Sequence, residues 1–139
     1  MGQSDSDKPH KPSILIVDDD VVNREIFRWA LQDRYNLTEM ESGQGVSDLI
    51  QKSLPDLVFL DLRMPVVDGF DVVDELFEQA PETLKNVIVF SADVEHPRVR
   101  NLLSMGIAGI HIRPYDDEGI HALVSQYEQG TPSQDDNWI

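Results

Sequence analysis

The chain has 139 residues, no cysteine, and 11 basic against 26 acidic side chains, for a formal charge of −15. That length suits one domain with a sizeable core, and the missing thiols exclude disulfides, thiolate metal sites and a cysteine nucleophile. The charge argues against nucleic acid or anionic lipid as direct partners. The apolar runs fall far short of the roughly 20 residues that span a bilayer. The opening MGQSDSDKPHKPS lacks the apolar segment of a secretory signal. A cytoplasmic protein without membrane contact is therefore expected.

Residues 1–12 read as a disordered polar tail. After it, Ile14-Leu15-Ile16-Val17 is a continuous apolar run of the kind a strand covered on both faces requires. Val22, Ile26, Trp29 and Ala30 follow at helical spacing, with Asp19 or Asp20 as the helix cap and Trp29 expected in the packed face. Leu37 to Met40 reads as an edge strand, and Val46, Leu49 and Ile50 as a short helix that must end before Pro55. Leu57-Val58-Phe59-Leu60 is a second buried strand. Asp68-Gly69 turns the chain into a third helix striped by Phe70, Val73, Leu76, Phe77 and Ala80. Val87 to Phe90 is a strand, Val99, Leu102, Leu103 and Gly106 mark a helix, Ala108 to Ile112 is the last strand, and Ile120, Leu123, Val124 and Tyr127 line the last helix. Residues 129–139 read as a tail or the start of a linker, ending on the apolar pair Trp138-Ile139.

Five strands alternating with five helices predict an α/β fold, a doubly wound five-stranded parallel sheet in the flavodoxin-like order 2-1-3-4-5. In that order the winding reverses between the first and third strands, and ligands bind beyond the carboxyl ends there. Asp18 and Asp19 follow the first strand and Asp61 follows the third, so the topology predicts that they converge. An aspartate triplet alone reads as a solvated strand end with a helix cap; the separate Asp61 at the reversal point turns the reading toward a site. Clustered carboxylates need a counter-charge, and Mg²⁺ accepts one or two of them while keeping oxygens of water or substrate phosphate. Asp61 is then placed to act as a nucleophile, because a carboxylate can form an acyl phosphate.

The segments Ile14 to Asp19, Asp56 to Gly69 (DLVFLDLRMPVVDG), Ser91-Ala92 and Arg113-Pro114, in this order and spacing, resemble a response-regulator receiver domain over residues 13–128. The resemblance implies a two-component signalling module, not an enzyme, that takes a phosphoryl group on Asp61 from a sensor histidine kinase or a histidine phosphotransfer protein. It implies Mg²⁺ held by Asp18, Asp19, Asp61 and the backbone carbonyl of Arg63, and a hydroxyl from Ser91 on the phosphoryl group. It also implies a downstream effector, and a partner or homodimer surface on helix 4, strand 5 and helix 5, where Arg98 and Arg100 oppose Asp116, Asp117 and Glu118.

Two positions depart from the family pattern. Arg113 replaces a lysine and either binds the phosphoryl group through its planar fork or turns outward along the surface. Ile110 replaces the aromatic residue that rotates on activation. These departures make a receiver-like interaction module not regulated by phosphorylation the alternative reading. A haloacid dehalogenase-type hydrolase would need an acid/base aspartate two residues after Asp61, where Arg63 stands. Gly43-Gln44-Gly45 lacks the third glycine of a dinucleotide fingerprint. His10, His96, His111 and His121 show no metal-ligand spacing and read as ordinary surface or partly buried histidines.

Overall fold

The computed structural model describes residues 11–128; most of the first tail and all of the second, with Trp138 and Ile139, lie outside the described residues, as does His10. The strands are β1 (Ser13–Val17), β2 (Asn36–Met40), β3 (Leu57–Asp61), β4 (Val87–Phe90) and β5 (Gly109–His111). The helices are α1 (Val21–Leu31), α2 (Val46–Ser53), α3 (Gly69–Gln79), α4 (Pro97–Met105) and α5 (Asp117–Glu128). All pairings are parallel and the order is β2-β1-β3-β4-β5, as the sequence predicts.

The period-2 alternation of the buried strands divides the core in two. Leu15, Val17, Val58, Leu60, Val87 and Val89 meet Val46 and Ile50 of α2, Val72, Val73 and Leu76 of α3, and Val99 and Leu102 of α4. Ile14, Ile16, Leu57, Phe59, Ile88 and Phe90 point the other way, onto Phe27 and Leu31 of α1 and Ile120, Leu123 and Val124 of α5. On this second face the rings of Phe27, Phe59 and Phe90 lie 5.4–5.8 Å apart. That separation is in the favourable range for aromatic pairs.

Several local expectations needed correction. The buried face of α1 is Phe27 and Leu31, whereas Val22 and Trp29 are exposed, Trp29 to 66%. Apolar residues occur on both faces of this helix, and the aromatic site offered by Phe59 and Phe90 selects the face that carries Phe27. Phe77 of α3 is likewise half exposed, and the fully buried Val72 takes its place in the stripe. The last strand is shorter than expected, because Ala108 and Ile112 fall outside the pairing. A 3-10 helix over Pro81–Asn86, absent from the sequence reading, joins α3 to β4 and buries Thr83 and Leu84. Its two tight turns are too short to show a periodic stripe.

The helix ends follow the expected chemistry. Asp20 caps α1 by accepting from Val22 N at 2.8 Å. Asp68 and Asp71 form a reciprocal capping box on α3. Leu54 ends α2 directly before Pro55, and Gly106 closes α4 at φ +116°, a conformation that favours glycine.

The α1 assignment gives a direct test. Phe27→Ala should cost about 3–5 kcal/mol in urea unfolding, as for other buried phenylalanines, and Trp29→Ala less than about 0.5 kcal/mol, as for an ordinary surface change. Comparable losses for the two variants would restore the face that the sequence suggests.

Candidate functional site

β1 and β3 are neighbours whose next strands lie on opposite sides, so the crossover connections diverge and leave a gap at their carboxyl ends. The apolar run of β1 ends at Val17 and that of β3 at Leu60, and the next residue of each is an aspartate. Asp18 and Asp61 are 3% and 8% exposed, unusual values for carboxylates. Together with the exposed Asp19 they bring one carboxylate oxygen each to within 4.8 Å of one another. The convergence expected from topology is present.

Each buried carboxylate is fixed through one oxygen. Asp18 Oδ1 accepts from Asp20 N at 2.9 Å, and Asp61 Oδ1 accepts from Arg63 N at 3.1 Å. The second oxygens face Arg113, which turns inward and not along the surface: Nη2 lies 2.7 Å from Asp61 Oδ2 and Nε 3.0 Å from Asp18 Oδ2. The Nε contact is an ion pair without an aligned hydrogen bond, since that buried nitrogen has no hydrogen-bond acceptor. Arg113 precedes Pro114, whose ring disfavours helix in the residue before it. The side chain therefore leaves an extended segment beyond β5 and lies across the strand ends.

Arg113, Asp61 and Ser91 line one cleft of about 300 Å³ with Arg63, Phe90, Ala92 and Ile112. Ser91 follows β4, where its amide donates to His111 O at 3.0 Å. Its hydroxyl is engaged in its own turn, donating to Asp93 O at 3.2 Å and accepting from Asp93 N at 3.1 Å. Arg63 stands at the rim, with its amide on Asp61 and its side chain exposed. Ile110 packs against the core on the α2–α4 side of the sheet.

The loop between β3 and α3 is tightly built. At Gly69 a Cβ would lie 2.6 Å from Asp61 O and 2.8 Å from Leu62 Cα, so this position allows the loop to close onto the site only as glycine. Val66 is 95% exposed and adopts φ +68°, while Val67 N bonds Pro65 O across it at 2.8 Å. A β-branched residue at positive φ is strained, and sequence reasoning did not single it out. The histidines serve local structure: His96 caps α4, His111 bonds the Tyr127 hydroxyl, and His121 bonds Ala30 O. The guanidinium of Arg98 lies 3.8 Å over the Phe70 ring.

Electrostatically the site is short of positive charge. Burial pushes the Asp18 and Asp61 carboxyls above their ordinary value; the charge of Asp19 pushes both further, and that of Asp18 pushes Asp61 further still. The amide bonds and Arg113 offset only part of this. Oxygen-only donors, close spacing and an incomplete counter-charge fit a hard divalent cation such as Mg²⁺.

Folding thus favours the protonated form of Asp18. The associated stability is complete below the unfolded-chain value of 3.8 and is lost as pH rises through the raised folded value. In metal-free protein, Asp18→Asn should therefore gain stability relative to wild type as pH is raised from below 3.8 to neutrality. Urea midpoints across that range would measure it, and a flat difference would remove the burial penalty on the Asp18 carboxylate from the account.

Comparison with known proteins agrees with this arrangement. The profile of the response regulator receiver domain matches residues 14–125. The transcriptional regulatory protein DegU of Brevibacillus brevis is 26% identical over 124 residues, covering 87% of this chain and 52% of DegU. This chain thus spans about half of that relative's length. An uncharacterized 14.6 kDa protein from the sodA1 3′ region of Leptolyngbya boryana is 31% identical over 116 residues, 82% of this chain and 88% of that one. The crystal structure of the chemotaxis protein CheY4 of Vibrio cholerae shares the fold, with a TM-score of 0.74 at 21% identity over 85% of this chain and 99% of CheY4. With its sheet order, its aspartate cluster and a profile match over most of its length, the chain belongs to the response regulator receiver domain family, a family of two-component signalling modules.

Proposed function

We propose that this receiver accepts a phosphoryl group on Asp61 from a phosphohistidine of a sensor histidine kinase or a histidine phosphotransfer protein. The modified state then changes its contacts with an effector. The observation that carries this reading is the state of Asp61. Its carboxylate is buried at the end of β3, fixed through Oδ1, and its Oδ2 faces a cation at the wall of an open cleft.

In the reaction, Asp61 Oδ2 attacks phosphorus. A carboxylate O–P bond forms as the N–P bond to the donor imidazole breaks, and the departing imidazole nitrogen takes up a proton. Asp18, Asp19 and Asp61 would hold Mg²⁺, with the backbone carbonyl of Arg63 as a further oxygen. When bound, Mg²⁺ supplies charge neutralisation at the phosphoryl oxygens. The other contributions come from this chain. Asp20 N and Arg63 N orient the two buried carboxylates. Arg113 exchanges a carboxylate oxygen for a phosphoryl oxygen with little travel, since it already touches Asp61 Oδ2 and its fork carries five donors. Ser91, on the same cleft, turns its hydroxyl from Asp93 O to a second phosphoryl oxygen. Phosphoryl transfer depends mostly on such positioning and charge placement. Any catalysis is then confined to the receiver's own phosphorylation and dephosphorylation.

Acetyl phosphate with Mg²⁺ should add one phosphoryl group by intact mass, and Asp61→Asn should remain unmodified. Equal labelling of the variant would move the acceptor elsewhere, and labelling of neither would favour an interaction module that does not use phosphorylation.

Arg113 gives a second test. Arg113→Ala should weaken binding of the phosphoryl mimic beryllofluoride about tenfold or more, the scale of a lost charge-assisted hydrogen bond. Arg113→Lys should lose less. Unchanged binding by the alanine variant would limit Arg113 to a structural ion pair.

A further inference from the structure

Arg24 lies outside the cleft and takes no part in the reaction as described, yet one of its nitrogens reaches the acidic cluster through the backbone. Its Nη1 donates to the carbonyl oxygen of Asp18 at 2.6 Å. Its Nε lies 3.4 Å from Glu39 Oε1 on β2, and Arg28, one helical turn further along α1, donates from Nε to Glu39 Oε2 at 3.0 Å. The Arg24 side chain is only 13% exposed and that of Glu39 26%. The guanidinium is thus held between the edge strand and the first helix.

We infer that Arg24, clamped by Glu39, is a positioning residue for the metal-binding carboxylates; the inference rests on the reading that the cluster binds Mg²⁺. β1 ends at Val17, and the peptide after Asp18 lies past the regular part of the strand. From this peptide the chain must aim one carboxylate inward at Asp18, a second at Asp19, and a helix cap at Asp20. The Asp18 amide is fixed by Met40 O at 3.0 Å and its carboxylate by Asp20 N, while the following peptide plane is held by Arg24. A charge-assisted bond at that carbonyl therefore sets the direction in which Asp19 leaves the backbone and limits rotation of Asp18. Glu39 fixes the guanidinium through Nε while also pairing with Arg28, and Arg24 reaches the cluster through the Asp18 carbonyl, not through a carboxylate. Partners that hold metal ligands in place commonly matter to affinity by 10–100-fold.

Calorimetric titration of metal-free protein with Mg²⁺ tests this in wild type, Arg24→Ala, Arg24→Lys and Glu39→Gln, with thermal unfolding recorded for each. The expected result is a Kd raised about tenfold in Arg24→Ala, the low end of that range. Arg24→Lys, which keeps a donor for Asp18 O, should recover most of the affinity, and Glu39→Gln should fall between. A purely structural role would lower the melting temperature and leave Kd unchanged. An Arg24→Ala Kd within twofold of wild type therefore overturns the inference; should that variant not fold, a Glu39→Gln Kd within twofold of wild type does the same. Absence of Mg²⁺ binding in wild type would instead overturn the metal reading on which the inference stands.

Discussion

The concentration of negative charge at the carboxyl ends of β1 and β3 is the constraint around which the molecule is arranged. A doubly wound sheet opens a gap where its winding reverses, and here the gap is lined by carboxylates that burial alone would make costly. Arg113 supplies part of the compensation and two backbone amides supply more. The remaining deficit of positive charge is one that a hard divalent cation with oxygen ligands would relieve. A fully neutralised site would be more stable and would have less capacity to bind one.

The scaffold is stiff where the site needs it. The two aspartates follow or end buried strands whose side chains interlock with helices on both faces. The loops that complete the cleft are held by close approaches, Gly69 against Asp61 and Leu62, and by the strained turn at Val66. Such strain persists only where the surroundings determine the backbone. Here the capping box of α3 and the bond from Gly43 N to Val67 O hold the far end of that loop.

The parts legible in the sequence are those set by periodicity and by strong local chemistry. Continuous apolar runs located β1, β3 and β4, alternation of strands with helices led to the sheet order, and the sheet order brought Asp18 and Asp61 together. The misreadings have a common cause. In α1, Ile26 and Ala30 pack against the core as expected, whereas Val22 and Trp29 fit the same spacing but are exposed, and the position of Phe59 and Phe90 selects Phe27 and Leu31 instead. The orientation of Arg113 and the clamp of Arg24 on Glu39 depend on contacts between residues distant in sequence, 95 positions apart for Arg113 and Asp18. The strain at Val66 was likewise hidden, since nothing in the tripeptide Pro65-Val66-Val67 demands a positive φ.

The geometry around β5 bears on how a change at Asp61 could travel. Ile110 faces the core on the α2–α4 side and offers no polar tip, so motion there requires repacking of buried side chains. Its neighbour His111 takes part on the opposite face, as the period of a strand requires. The backbone carbonyl of His111 accepts the Ser91 amide, and its ring bonds the Tyr127 hydroxyl near the end of α5. Burial also holds the His111 imidazole below its ordinary value, which favours the neutral ring in that contact. The Ser91 amide thus continues the β4–β5 ladder to the edge of the cleft, and β5 packs differently on its two faces. On one side it meets close-packed aliphatic side chains, which resist small shifts; on the other it meets a directional polar bond to the last turn of α5.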